Sequence, residues 1–73
     1  MIEQIKAAVH AASATNQKIA MFHFQVLKNA KALEGMEAKA FCREVGVFDS
    51  YATEFTKMLS LARVIEEQGM RLL

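Results

Sequence analysis

The placement of glycine and proline constrains this chain more than any other feature. Proline is absent, and glycine occurs three times, at Gly35, Gly46 and Gly69. The residues between the glycines are mostly Ala, Leu, Met, Glu, Lys and Gln, which are strong helix formers. A glycine after a run of such residues is typical of a helix end. The sequence therefore predicts an all-α fold of three to four helices in a single helical domain over residues 1–73.

The first half of the chain carries an apolar stripe that repeats every seven residues. Steps of three and four separate its members, and Asn16 and His23 fill the two gaps in the register. Such a stripe is typical of a helix that packs on another helix along a narrow seam. We therefore predict a long apolar N-terminal helical segment whose stripe joins two subunits. The predicted dimerisation residues are Ile5, Val9, Ile19, Val26 and Leu33.

Two structures of residues 2–34 fit this stripe equally well. One is a single continuous helix. The other is a pair of helices separated near residues 13–16, where Ser, Thr and Asn, which are frequent helix caps, cluster. No glycine or proline in the first 34 residues decides between them. The apolar region 58–73 is an alternative surface for joining two subunits.

The length of the chain favours association. A chain of 73 residues has little interior and commonly needs a disulfide, a metal or a partner for stability. Cys42 is the single cysteine, which excludes an internal disulfide, and one cysteine with two histidines cannot supply a four-ligand zinc site. We expect no metal and no cofactor. Because 53% of the residues are hydrophobic, we predict a homodimer that buries part of them.

Charge is almost balanced along the chain as a whole. Nine basic and eight acidic residues give a net charge of +1, which argues against strong non-specific binding to nucleic acids or anionic membranes. No apolar run approaches the roughly 18 residues of a membrane-spanning helix. The first residues lack the basic start and apolar core of a signal peptide. We therefore expect a protein of the cytoplasm, or of the host cytoplasm if it is phage-encoded, with no membrane partner.

The spacing of small and apolar residues between positions 38 and 55 fits two crossed helices. Cys42 is small enough for the point where two helices cross closely. Gly46 follows four residues later, where a turn needs the left-handed backbone conformation that other residues adopt at a cost. Val47 can fill the core from the turn, and Asp49 or Ser50 can cap the second helix. Ala52 and Phe55 can then face the first helix of the pair. This spacing predicts a helix-turn-helix over residues 37–57.

The segment FCREVGVFDS, residues 41–50, resembles the helix-turn-helix core of small bacterial and phage transcription regulators, including the lambdoid phage activators. The resemblance implies that the second helix of the motif enters the major groove of DNA and reads base edges with its first residues. The implied reading residues are Ser50, Tyr51, Thr53, Glu54 and Lys57. The implied phosphate contacts are Lys39 and Arg43, with Lys28 and Lys31 as additional candidates.

The charge of the candidate reading helix departs from this pattern. The helix opens with Asp49, contains Glu54 and has Lys57 as its only early basic residue, whereas Arg, Asn and Gln make the commonest base contacts. Two functions therefore stay open. One is a small dimeric regulator that binds DNA to control transcription. The other is a phage- or plasmid-type protein-binding module, an inhibitor or anti-activator of a host regulator, with Tyr51 as an exposed anchor.

The sequence gives no support for catalysis. It contains no phosphate-binding loop, nucleophile motif or metal-ligand spacing, so we predict that the protein is not an enzyme and has no small-molecule substrate. Cys42 is expected to be an inert buried hydrophobe. His10 is expected on a solvated side of the first helix. His23 is expected in the core or an interface, where it donates to a backbone carbonyl.

Overall fold

The fold is known from a computed structural model, which describes residues 1–71. This part of the chain contains five α-helices, α1 (Ile2–Ala12), α2 (Lys18–Lys28), α3 (Ala30–Leu33), α4 (Ala38–Val45) and α5 (Tyr51–Glu67). It contains no β-strand, so the all-α prediction is confirmed. The short α3 follows α2 directly and is separated from it only at Asn29, whose side chain donates to the Gln25 carbonyl at 2.8 Å. This interruption adds a helix to the three to four that were predicted.

The N-terminal segment is two helices, not one. The 3₁₀ turn Ser13–Thr15 ends α1, and Asn16 then adopts the left-handed conformation with φ 60°. Asn accepts this conformation more readily than most residues other than glycine. The hydroxyls of Ser13 and Thr15 donate to the carbonyls of His10 and Ala12 in the last turn of α1. These hydrogen bonds add to those that the same carbonyls accept from the amides of Ser13 and Gln17. The cluster of Ser, Thr and Asn therefore ends α1 without a glycine.

The break folds α2 back on α1, and this changes the role of the apolar stripe. Two helices that pair within one chain bury their facing stripes against each other. Four of the five predicted dimerisation residues are core residues with 1% or less of their surface exposed, namely Ile5, Val9, Val26 and Leu33. These side chains are inaccessible to a second subunit in this fold, because α2, α4 and α5 already cover them. Ile19 is the exception, with 41% of its surface exposed.

Three phenylalanines form the centre of the core. The ring of Phe41 on α4 lies 4.7 Å from that of Phe55 on α5 and 5.8 Å from that of Phe22 on α2. All three side chains have 1% or less of their surface exposed. Aromatic pairs at these distances add to the free energy gained from burial. The cluster therefore joins the N-terminal helix pair to the last two helices.

The end of α5 extends beyond this core. Leu61, Val64 and Met70 expose 41%, 50% and 64% of their surface, respectively. Leu72 and Leu73, which belong to the alternative dimer region 58–73, lie outside the described residues. None of the helices within residues 1–71 has the length and apolar character needed to cross a membrane.

Candidate nucleic-acid interface

Helices α4 and α5 form the helix-turn-helix that the spacing predicts. Gly46 ends α4 in the left-handed conformation with φ 83°, and the amides of Gly46 and Val47 both donate to the Cys42 carbonyl, at 2.9 and 3.0 Å. Cys42 is fully buried and Val47 is 8% exposed. Phe55 packs on Phe41 across the helix pair. The small residue, the turn glycine and the core plug thus lie where the sequence predicts them.

His10 of α1 closes the end of α4, and sequence reasoning missed this contact. Its ring Nε2 donates to the Val45 carbonyl at 2.9 Å, one of the carbonyls that the end of a helix leaves without a partner. The same nitrogen lies 3.1 Å from the position that a Cβ at Gly46 would occupy. Gly46 is therefore required both for its backbone conformation and for the close approach of His10.

The two helices of the motif begin in different ways. The Glu37 carboxylate accepts from the amides of Lys39 and Ala40, at 2.9 and 3.1 Å, and these hydrogen bonds lower its pKa. The predicted side-chain cap of α5 is wrong. Ser50 already has helical backbone angles, so its side chain makes no cap, and Asp49 accepts from Arg43 at 3.2 Å instead.

The amides at the start of α5 have backbone partners, which explains the missing cap. The Tyr51 amide donates to the Phe48 carbonyl at 3.0 Å, and the Ala52 amide donates to the Asp49 carbonyl at 2.9 Å. Backbone carbonyls of the turn thus satisfy donors that a capping side chain otherwise serves. The turn is consequently held by its own backbone and by the exposed Arg43–Asp49 ion pair.

Five of the predicted contact residues are exposed on this motif. Lys39 and Arg43 are four residues apart on α4 and therefore lie on one face of it. Exposed side chains of α4, the turn and α5 that were predicted to touch DNA are Lys39, Arg43, Ser50, Thr53 and Lys57. They combine three positive charges with two hydroxyl groups. This composition suits contacts to phosphate oxygens and base edges.

The other predicted contact residues are placed differently. Tyr51 is half-buried, because its ring packs edge-on against Phe22 at 5.0 Å, so it is not the exposed anchor that was predicted. Lys31 pairs with Glu66 at 3.4 Å. Glu66 lies about three turns beyond Glu54, about 18 Å along the axis of α5. Lys28 lies over the Phe24 ring, 5.9 Å from its centroid. Lys28 and Lys31 line one surface cavity with Ile65 and Glu66, at the far end of α5 from the turn.

Glu54 is held by a histidine on another helix. Its Oε1 accepts from His23 Nε2 at 2.7 Å, and its Oε2 lies 3.5 Å from Lys57 Nζ. The partner of His23 is therefore a carboxylate and not the carbonyl that was predicted. The hydrogen bond from His23 lowers the pKa of Glu54, Lys57 lowers it further, and partial burial opposes both.

The family model for the HTH-like domain matches residues 1–68, which include all five helices. The chain belongs to the HTH-like domain family. No curated protein and no solved structure matches it significantly. The family match extends far beyond residues 41–50, which carry the resemblance to transcription regulators, and includes the N-terminal helix pair. The α1–α2 pair is therefore part of this HTH-like domain and not an addition to it.

Cys42 is the buried ionisable group of this HTH-like domain. Burial raises the pKa of the Cys42 thiol, which keeps it protonated and unreactive at neutral pH. Within residues 1–71, no three His, Cys, Asp or Glu side chains are grouped so that they could hold a metal ion. Polar side chains such as His10 and Glu37 instead form hydrogen bonds with backbone groups at helix ends.

We expect Glu54→Gln to weaken the acid sensitivity of the HTH-like domain. The pKa of Glu54 is lower in the folded protein than its ordinary value of 4.5. Its ionised form therefore stabilises the fold above this value, and the stabilisation is lost as the pH falls through the folded pKa. Urea unfolding at neutral pH and at about pH 3 measures the loss, which should be smaller in Glu54→Gln than in the wild type.

Glu44→Gln is the matched control for this measurement. Glu44 is an exposed carboxylate on α4 that makes no ion pair within residues 1–71. Its substitution should leave the acid-induced loss at the wild-type value. The assignment to Glu54 is contradicted if both variants lose the same amount as the wild type.

Proposed function

We propose that this protein is a small dimeric helix-turn-helix regulator that binds DNA in the cytoplasm to control transcription, and that it is not an enzyme. The observation that carries the proposal is the set of exposed side chains on the motif, in which Lys39 and Arg43 lie on one face of α4 and Arg43 reaches Asp49 in the turn before α5. Positive side chains beside a helix that can enter the major groove supply the phosphate contacts that position a reading helix. The lambdoid phage activator type is the narrower form of this proposal.

Reading of the bases rests on three of the five reading residues. Ser50, Thr53 and Lys57 are exposed on successive turns around the start of α5, and their hydroxyl and ammonium groups can bond to base edges or phosphates. Glu54 is half-buried and hydrogen-bonded to His23, so in this proposal it sets the charge beside the reading residues and makes no base contact of its own. Tyr51 contributes mainly by packing on Phe22, which fixes the first turn of α5.

The dimer in this proposal uses the second half of α5, because four residues of the heptad stripe are buried within one chain. Leu61 and Val64 expose 41% and 50% of their surface there. Thr53 precedes Val64 by three helical turns, about 17 Å along the axis. Antiparallel pairing of two α5 helices about Val64 separates the two Thr53 residues by about 33 Å, close to the ~34 Å of one DNA turn between half-sites.

We expect the double variant Lys39→Ala, Arg43→Ala to bind all DNA duplexes more weakly. Each phosphate contact contributes about 0.9 to the slope of log affinity against log salt, so losing two should reduce the slope by about 2. Fluorescence anisotropy with duplexes at several salt concentrations measures both quantities. Lys28→Ala, Lys31→Ala removes the same charge at the far end of α5 and should have the smaller effect. Unchanged affinity and slope in the first double variant would exclude Lys39 and Arg43 as phosphate contacts.

A protein-binding module is the second candidate function, and the turn residue Phe48 favours it. This side chain exposes 77% of its surface between the two motif helices, and exposed aromatic residues are frequent anchors in protein interfaces. In this proposal the domain inhibits a host regulator through the same side of the motif. Selection of duplexes and recovery of a stoichiometric protein partner from host lysate distinguish the two functions. Phe48→Ser should abolish partner binding while changing DNA affinity little.

A further inference from the structure

His23 connects α2 to the candidate reading residues on α5. Its hydrogen bond to Glu54 measures 2.7 Å, and the two side chains are 32% and 29% exposed. Partial burial restricts their movement but leaves the imidazole open to protons from solvent. Lys57, at 3.5 Å from the other carboxylate oxygen, is 64% exposed and completes the group. With a neutral imidazole the three side chains have no net charge, and a proton on His23 gives them a net charge of +1.

Among the described residues, Glu54 is the one ionisable group that makes a hydrogen bond or ion pair with His23. On its own helix, Lys18 lies over the Tyr51 ring and Lys28 over the Phe24 ring. From α3, Lys31 pairs with Glu66. The ionisable residues of α1 are Glu3, Lys6 and His10, of which Lys6 and His10 lie against the turn at Gly46. Glu3 makes no ion pair or hydrogen bond with His23. Glu54, with Lys57 beside it, is therefore the charged group that His23 contacts.

We propose that His23 is a positioning residue that makes DNA binding depend on pH: its protonation cancels the charge of Glu54 and frees Lys57 for a phosphate. This inference rests on the proposed DNA-binding function. Imidazole is the side chain that ordinarily changes charge between pH 5 and 8. A carboxylate on a reading helix repels phosphates, so the complex favours the protonated form of His23 and takes up a proton when it assembles.

The test is the pH profile of affinity for a fluorescent duplex of mixed sequence and about 30 base pairs, three turns of DNA, at constant ionic strength. Wild-type protein should bind roughly three- to tenfold more tightly at about pH 6 than at about pH 8, the size expected for one unit charge within about 6 Å of phosphates. His23→Gln keeps a donor for Glu54 without a charge. Its affinity should be independent of pH and match the wild type at the higher pH.

Two further variants separate charge from structure. His23→Lys is charged at both pH values and should match the wild type at the lower pH throughout. Glu54→Gln removes the carboxylate and should bind tightly with little pH dependence, which tests the inference even if His23→Lys does not fold. His10→Gln changes the only other histidine of the chain and should keep the wild-type profile. Circular dichroism and thermal unfolding confirm the fold of each variant.

Two results would overturn the inference while leaving the proposed function intact. One is a wild-type affinity that is constant across this pH range. The other is a His23→Gln profile with the same slope as the wild type. If no duplex binds at any pH, the proposed DNA-binding function is itself wrong, and the inference about His23 fails with it.

Discussion

Phe41→Ala is expected to lower the free energy of unfolding by about 3–5 kcal/mol, the range measured for removing a buried aromatic ring. Phe41 is fully buried and contacts the rings of both Phe22 and Phe55. Its loss leaves a cavity at the point where the N-terminal helix pair meets the motif. A chain of 73 residues has little stability in reserve, so we expect most of the variant to be unfolded at 37 °C.

Urea unfolding followed by circular dichroism measures this effect, and Phe48→Ala is its matched control. Both variants remove the same side-chain atoms, but Phe48 is 77% exposed in the turn. Substitution of an exposed residue outside special sites usually changes stability by less than about 0.5 kcal/mol. Equal unfolding midpoints for Phe41→Ala and the wild type would contradict the three-ring core.

Gly46→Ala is expected to lower the free energy of unfolding by about 2–3 kcal/mol. The left-handed conformation, with φ 83°, costs a non-glycine residue about 1–2 kcal/mol. The new Cβ would also lie 3.1 Å from His10 Nε2, so the ring has to shift by a few tenths of an ångström, which weakens its hydrogen bond to the Val45 carbonyl. A hydrogen bond of this kind contributes about 0.5–1.5 kcal/mol.

Gly35→Ala isolates the backbone part of this effect. Gly35 has nearly the same φ, 84°, but a Cβ there would meet nothing within 4 Å. The difference between the two alanine variants is therefore the cost of displacing His10. In a His10→Ala background that difference should largely disappear, which a double-mutant cycle measures. If Gly46→Ala and Gly35→Ala cost the same in the wild-type background, the close approach of His10 does not affect stability.

The motif was predictable because the residues that define it are close in sequence. Cys42, Gly46 and Val47 lie within six positions of one another. The small size of Cys42 and the backbone freedom of Gly46 are enough to predict the turn between the two helices. The role of the apolar stripe was not predictable in the same way. A stripe that joins two chains and a stripe that packs within one chain have the same spacing. The 3₁₀ turn Ser13–Thr15 and the left-handed Asn16 produce the second arrangement here.

The contacts that sequence analysis missed join residues far apart in the chain. His10 reaches Val45 across 35 positions, and His23 reaches Glu54 across 31. No local pattern relates such partners, since their approach depends on how three helices cross. The missing side-chain cap at Ser50 was not predictable for a similar reason. Backbone carbonyls of the preceding turn accept from the first amides of α5, and residue type alone does not reveal this.

Both histidines of the chain bind the motif from the N-terminal helix pair, one at the end of α4 and the other on α5. Phe22 adds a third attachment through Phe41 and Tyr51. A peptide cut out from residue 36 onward would lose all three and expose Phe41 and Phe55 to water. The motif therefore does not fold independently of the N-terminal helices. A chimaeric protein that contains the motif has to include the first 33 residues as well.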